Sequence, residues 1–245
     1  MQQPLKTSGA GAHPATSHMA TTPPPKRHPY DQWAPDARAL DLVGDKWTLL
    51  IVRDLASGPR RFVELQRVLP GISTEQLRSR LNRMVADGLL TRQRYREVPP
   101  RVDYELTERS RELLPVLGAL ARWGYNWAWT PPRESEAIDI GAILRVVPGL
   151  ASPPVGVSGT VAISVVRPDR QTAHYVLTVD RGAVTISEQE SADADARISG
   201  SQEDWIEALG PSANRHALAM SGDERLATEV LDGVAARAAG DVRVA

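Results

Sequence analysis

Between Ser73 and Arg83 the chain carries Ser73, Gln76, Arg78, Ser79, Arg80, Asn82 and Arg83, interleaved with Leu77, Leu81 and Met84 at helical spacing. If the three apolar residues face a core, Glu75, Gln76, Arg78, Ser79, Asn82 and Arg83 point outward or to the flanks, and Arg80 sits nearer the core edge. Arginine can grip guanine through two hydrogen bonds, Gln and Asn can do the same with adenine, and Ser can bond bases or phosphate. Further on, Arg92, Arg94, Arg96 and Arg101 flank Pro99-Pro100, with only Glu97 among them. Arginines around a tight tip suit backbone phosphates or a minor groove. Lys46, Arg60 and Arg61 lie at expected helix starts, where a phosphate can also reach unpaired N–H groups. The combined expectation is double-stranded DNA as partner. The plain alternative is a solvated, arginine-rich surface. The chain holds 26 Arg against 3 Lys, so abundance says little and order says more.

These residues need elements to place them. Residues 36–43 read as a short helix with Ala37, Leu40 and Val43 on one face. Asp45 is placed to cap a second helix bearing Trp47, Leu50, Ile51 and Leu55, which Gly58-Pro59 ends. Residues 61–69 form a third helix with Phe62, Leu65, Val68 and Leu69, and Pro70-Gly71 makes a tight turn. Ser73 then opens a fourth helix, with Gln76 three residues later as a capping box, and Asp87-Gly88 stops it. Residues 89–96 and 101–106 alternate as strands. Thr107 caps a long helix over 107–128, bearing Leu113, Leu117, Leu120, Trp123 and Trp127 and kinked at Pro115. Helix, tight turn, helix and a two-stranded wing make a helix-turn-helix variant.

Pro131-Pro132 marks a domain boundary. Beyond it, 135–147 reads as a helix, and 155–166, 173–179, 182–188 and 195–199 as β-branched strand runs with turns between them. A helix opens at Ser201 with Asp204 in the capping-box position, and another opens near Asp223. The fold class is α+β: a winged helix-turn-helix domain over 30–130, then, over 131–245, helices packed on a mostly antiparallel sheet. Residues 1–29 hold Pro, Thr, Ala and His with no acid, and read as a disordered tail.

Composition narrows the function. The 245 residues contain no cysteine, which removes disulfides, thiolate metal sites and thiol switches. No continuous helix of membrane-spanning length is legible, because the longest uncharged stretch carries three prolines and three glycines. No secretory leader is visible, so a soluble cytoplasmic protein is expected. The formal net charge of −1 divides into +6 over residues 1–130 and −7 over 131–245, so the second half should avoid nucleic acid. His13, His18, His28, His174 and His216 form no metal-spaced cluster, and no nucleophile or phosphate-loop motif occurs. Glu188/Glu190 and Asp193/Asp195 read as solvated surface. No catalytic residue, metal or cofactor is assigned.

The run "ALDLVGDKWTLLIVRDLASGPRRFVELQRVLPGIS", then "LRSRLNRMVADGLLTR", "YREVPPRVDYELTE" and "LLPVLGALARWG", resembles the HxlR family of winged helix-turn-helix regulators over about residues 34–124. The resemblance implies a dimeric transcription factor, with the helix opening at Ser73 as recognition helix and the Pro99-Pro100 hairpin as wing. Three departures stand out: Ala34 where relatives often carry a cysteine, Glu75 where a basic residue is common, and Ser110 in place of a frequent glycine. Trp123, Trp127 and Trp129, with Trp33, form either a dimer seam or a contact with the second domain.

Segment 137–238, with "TAHYVLTVDRGAVTISEQESADADARISGSQEDWIEALG" and "LAMSGDERLATEVLDGV", resembles sterol-carrier-protein type domains. That resemblance implies an open sheet with helices on one face, often around an apolar cavity. Tyr175, Trp205, Ile206, Leu209 and Leu218 are the candidate ligand-contacting residues, a hydrophobic small molecule is the candidate effector, and the alternative is that these residues simply form a core. The leading expectation is a homodimeric transcriptional regulator modulated by such an effector. The alternatives are a ligand carrier or docking protein with a degenerate winged helix, or an enzyme without a motif acting in an apolar cavity.

Overall fold

The computed structural model describes residues 29–96, 100–154, 156–210 and 213–234. The tail expected over 1–29 and the wing tip at Val98-Pro99 therefore lie outside the described residues, apart from Pro29.

The N-terminal half is built from α1 (Pro35–Val43), α2 (Thr48–Asp54), α3 (Phe62–Val68) and α4 (Thr74–Ala86), with strands β1 (Arg60–Arg61), β2 (Leu90–Tyr95) and β3 (Arg101–Leu106). Caps decide where the helices begin. The Asp45 carboxylate accepts from the N–H groups of Trp47 at 2.9 Å and Thr48 at 3.0 Å. Ser73 Oγ accepts from the Gln76 N–H and Gln76 Oε1 accepts from the Ser73 N–H, both at 3.2 Å. Such a cap is worth about 1 kcal/mol, so Ser73→Ala is expected to lower the thermal midpoint by a few degrees, measurable by circular dichroism. Leu77, Leu81 and Met84 of α4 enter one core with Ile51, Leu55, Leu65 and Tyr104. The strands form an antiparallel sheet in the order β1-β3-β2.

Two helices differ from the sequence expectation, and each difference involves a proline. The long helix over 107–128 is instead α5 (Glu108–Arg111) and α6 (Leu114–Trp127), with Pro115 in the first turn of α6. A proline lacks the N–H and its ring collides with the carbonyl four residues back, so the chain breaks and restarts rather than kinking. Of the helix over 135–147 only α7 (Ile140–Leu144) forms, and Pro148 opens a separate α8 (Val147–Leu150) beyond it. Leu40 also departs: α1 packs through Ala37 and Val43, and Leu40 is exposed.

The C-terminal half is a five-stranded sheet of β4 (Gly159–Val166), β5 (Thr172–Asp180), β6 (Ala183–Ser187), β7 (Ala196–Ser201) and β8 (Ala219–Gly222). Its order is β6-β5-β4-β7-β8, and only the β4–β7 pair is parallel. Alternation on β4 and β5 turns Val161, Ile163, Val165, Tyr175, Leu177 and Val179 inward. They pack on α9 (Gln202–Leu209) and α10 (Glu224–Val234) through Trp205, Leu209, Leu226 and Val230. The Trp205 indole N–H donates to the Ser164 carbonyl at 3.1 Å, which satisfies a polar atom that burial would otherwise penalise. Strands β1 and β8 were not expected from the sequence.

Candidate functional site

The α4 surface is set by its buried stripe. With Leu77, Leu81 and Met84 fully covered, Ser73, Gln76, Arg78, Ser79 and Asn82 are exposed and Arg83 is half-buried. Gln66 of α3 donates to Thr74 Oγ1 at 2.7 Å and fixes α4 against α3. The Arg78 guanidinium lies 5.9 Å from the Phe62 ring centroid, which steadies it on the α3 side. Arg80 turns inward instead: its Nη1 pairs with the Asp45 carboxylate at 2.9 Å and ties α4 to the start of α2. Glu75 sits exposed in the first turn of α4, where the helix dipole favours a carboxylate.

The wing presents Arg92 and Arg94 on β2, and Arg96 just past it, all exposed. Arg101 is more committed. Its Nε donates to both oxygens of the buried Asp103 at 2.8 and 2.9 Å, and its guanidinium stacks 5.4 Å from the Tyr95 ring centroid. Arg61 is half-exposed, with its Nε 4.0 Å from Asp103. Lys46 is exposed over the Trp47 ring at 4.9 Å, beside a helix start already capped by Asp45. Arg60, expected at a phosphate-binding helix start, points away from α4. Its Nε donates to the Asp54 carbonyl at 2.6 Å and its Nη2 bonds Glu188.

The five candidate ligand contacts come together in one packed cluster: Tyr175, Trp205, Leu209 and Leu218 are buried in the core of the C-terminal half, and Ile206 packs against it half-buried. On the helix-free face of the sheet, Ala162, Ser164, His174, Arg197 and Ser199 line an open depression of about 320 Å³ that Tyr175 also borders. Ser164 Oγ lies 3.2 Å from His174 Nδ1 there. Among the described residues no group of three or more His, Asp or Glu is arranged to hold a metal ion. Among those residues, too, no helix is long and apolar enough to cross a membrane.

The two halves meet through charges that the sequence reading did not single out. Arg145, 2% exposed, reaches Asp54 Oδ1 at 3.1 Å, Asp139 Oδ2 at 2.9 Å and Glu188 Oε1 at 2.6 Å. Arg53 Nη2 pairs with Asp54 Oδ2 at 3.0 Å, and Ser57 Oγ donates to Glu188 at 2.9 Å. Glu188 stays at the surface as expected, but the fold also carries it onto two guanidiniums. Asp195 is exposed as expected and accepts from the Thr160 N–H at 2.7 Å. The one available signal was a lone arginine inside the apolar run 142–147.

Burial pushes the Asp139 carboxyl up, but the charge and hydrogen bond of Arg145, with Arg53 and Arg167, outweigh it and hold the carboxyl below its ordinary value. Burial acts against the Arg145 charge, and Asp139, Glu188 and Asp54 more than restore it. A depressed carboxylate contributes stability above its unfolded value, near 3.9, and loses it as pH falls through the folded value. Stability is thus expected to be level from about pH 7 to about 5 and to fall below about 4, read from urea unfolding across that range.

Compared with known proteins, residues 42–131 match the family described as HxlR-like helix-turn-helix, and residues 155–226 match the SCP-2 sterol transfer family. A protein of Synechocystis sp. named as an uncharacterized HTH-type transcriptional regulator is 43% identical over 93 residues, covering 38% of this chain and 69% of that one. One of Halalkalibacterium halodurans with the same description is 43% identical over 94 residues, covering 38% and 83%. Among solved structures, the redox regulator HypR in its oxidized form is 34% identical, covering 40% of this chain and all of that one, with a TM-score of 0.38.

Proposed function

The chain belongs to the HxlR-like helix-turn-helix family and carries an SCP-2 type unit behind that domain, and from this premise we propose that it is a homodimeric, DNA-binding transcriptional regulator acting in the cytoplasm. One observation carries the reading. A doubly capped helix with a fully buried stripe offers Gln76, Arg78, Ser79 and Asn82 beside a strand offering Arg92 and Arg94. In this reading α4 enters the major groove and uses Arg78, Gln76 and Asn82 on base edges, while Ser73, Ser79 and the wing arginines take phosphate. Arg83, Arg101, Arg61, Arg80 and Lys46 lie on or beside the same surface and are also engaged by protein partners.

Dimerisation is supported by α6. Val116, Leu120, Trp123 and Trp127 fall at i, i+4, i+7 and i+11 and are all exposed, and Trp33 near α1 is 93% exposed. A stripe of this kind on a soluble domain needs a partner. Two copies paired there would address half-sites about one helical turn, ~34–36 Å, apart.

The unit over 131–245 is the sensing domain in this reading. A hydrophobic molecule entering between sheet and helices would displace packing around Tyr175, Trp205, Ile206, Leu209 and Leu218, and so change DNA affinity. By linkage, DNA must change the affinity for that molecule by the same factor. No catalysis is assigned.

Arg78→Ala is expected to weaken binding about tenfold or more and to relax base preference, whereas Arg94→Ala should weaken all sequences alike and lower the salt slope by about one. Glu75→Gln should tighten binding several-fold by removing a carboxylate from a phosphate-facing helix start. Fluorescence anisotropy on the duplex upstream of the protein's own gene tests all three. Unchanged affinity for Arg78→Ala would remove α4 as the reading helix.

A further inference from the structure

Two of the contacts that fasten the second half to the first each lead to a part of the DNA-binding machinery. The first is a crossing of α6 and α8 at Gly118 and Gly149. A Cβ on Gly118 would lie 1.8 Å from the Gly149 carbonyl oxygen, and one on Gly149 would lie 1.8 Å from the Leu114 carbonyl oxygen. Backbone rests on backbone, with no side chain between them to yield. At 100° per residue, the exposed stripe of Val116, Leu120, Trp123 and Trp127 lies about 140–200° round α6 from Gly118. The same helix therefore carries the C-terminal half on one side and the dimer stripe on the other.

The second point is Glu188, just past the end of β6. It accepts from Arg145 Nε at 2.6 Å, from Ser57 Oγ at 2.9 Å and from Arg60. Arg60 is no loop residue. It belongs to β1 and pairs across to Tyr104 of β3, which pairs in turn with Arg92 of β2. Arg60, Tyr104 and Arg92 thus form one row across the wing sheet. Glu188 grips the end of that row, and Arg145 holds Glu188 from a buried position.

We propose that Glu188 is a positioning residue for DNA binding: from the C-terminal half it sets the wing, through Arg60, in the register that presents Arg92 and Arg94 to phosphate. The claim rests on the DNA-binding reading above and names its route of regulation. Any change in the C-terminal half that moves Glu188 or Arg145 moves the base of the wing, while the Gly118–Gly149 crossing carries the same displacement into the dimer helix. Coupling then runs through a contiguous row of paired residues.

The sign of one substitution separates this role from simple electrostatics. Removing a carboxylate raises net charge and, acting alone, tightens DNA binding. A positioning role predicts the reverse. Glu188 is part-exposed and glutamine is its isostere, so Glu188→Gln is expected to fold. It should bind the upstream duplex about 3- to 10-fold more weakly than the wild-type full-length chain, at an unchanged salt slope. Arg60→Lys, which keeps the charge and loses the fork, should weaken binding comparably. The two changes combined should cost little more than either alone. Affinity equal to or tighter than wild type in Glu188→Gln and equal affinity in Arg60→Lys, with wild type binding normally, would overturn the inference and leave the DNA-binding reading intact. Wild type that binds no duplex even at low salt would overturn the reading itself, and the positioning role with it.

Discussion

Arg145→Met is expected to lower unfolding stability by about 3 kcal/mol or more. Methionine fills a similar volume, so the loss comes from charge rather than from a cavity. Asp139 loses its ion pair, the fully buried Asp54 keeps the Arg53 pair, and Glu188 keeps Arg60 and the Ser57 hydroxyl. Removing one member of a buried network is costly because the carboxylates left behind stay desolvated. Urea unfolding of wild type and variant reads the difference directly. Adding Asp139→Asn should recover part of it, since one uncompensated charge then disappears. A loss under about 1 kcal/mol would mean that water reaches the junction and that the two halves are held mainly by the α6–α8 crossing.

The second large effect concerns α6. Trp123 and Trp127 are 59% and 70% exposed, so replacing both with glutamate should leave the fold of one chain intact. The wild type is expected to be a dimer at micromolar concentration and the double variant a monomer, by light scattering. Affinity for a two-half-site duplex should then drop about 100-fold or more, because the second half-site is no longer held at high effective concentration. A double variant that remains dimeric would place the seam elsewhere. A monomeric wild type would remove dimerisation from the reading altogether.

Much of the fold was legible because local chemistry marks its own limits. Ser73 with Gln76 and Ser201 with Asp204 each close a hydrogen-bonding ring within a few residues, so their helices start where the sequence says, whereas Asp45 closes a turn and its helix starts at Thr48. The β-branched runs over 155–166 and 173–179 report strands, which form as Gly159–Val166 and Thr172–Asp180. The kink expected at Pro115 is a full break, and Pro148, which carries no such expectation, likewise opens a new helix. Strands β1 and β8 escaped because two to four residues carry no period, and their pairing comes from β3 and β7. The exposed polar face of α4 was legible since its residues share one helix with their apolar anchors. The junction was not. Arg145 meets Asp54 across 91 positions and Glu188 across 43. No spacing rule connects residues so far apart, and Glu188 in particular looks like any charged residue in a turn.

Regulation in this reading requires that the chain bind duplex DNA through α4 and the wing. The most direct test is the affinity of the full-length protein for the duplex upstream of its own gene, titrated from about 50 to 200 mM salt. The expected result is a specific complex whose affinity falls steeply with salt, by about one decade or more over that range, and falls less steeply when Arg92 and Arg94 are both replaced by alanine. No complex at 50 mM salt, or a complex indifferent to salt and to those two arginines, would contradict it.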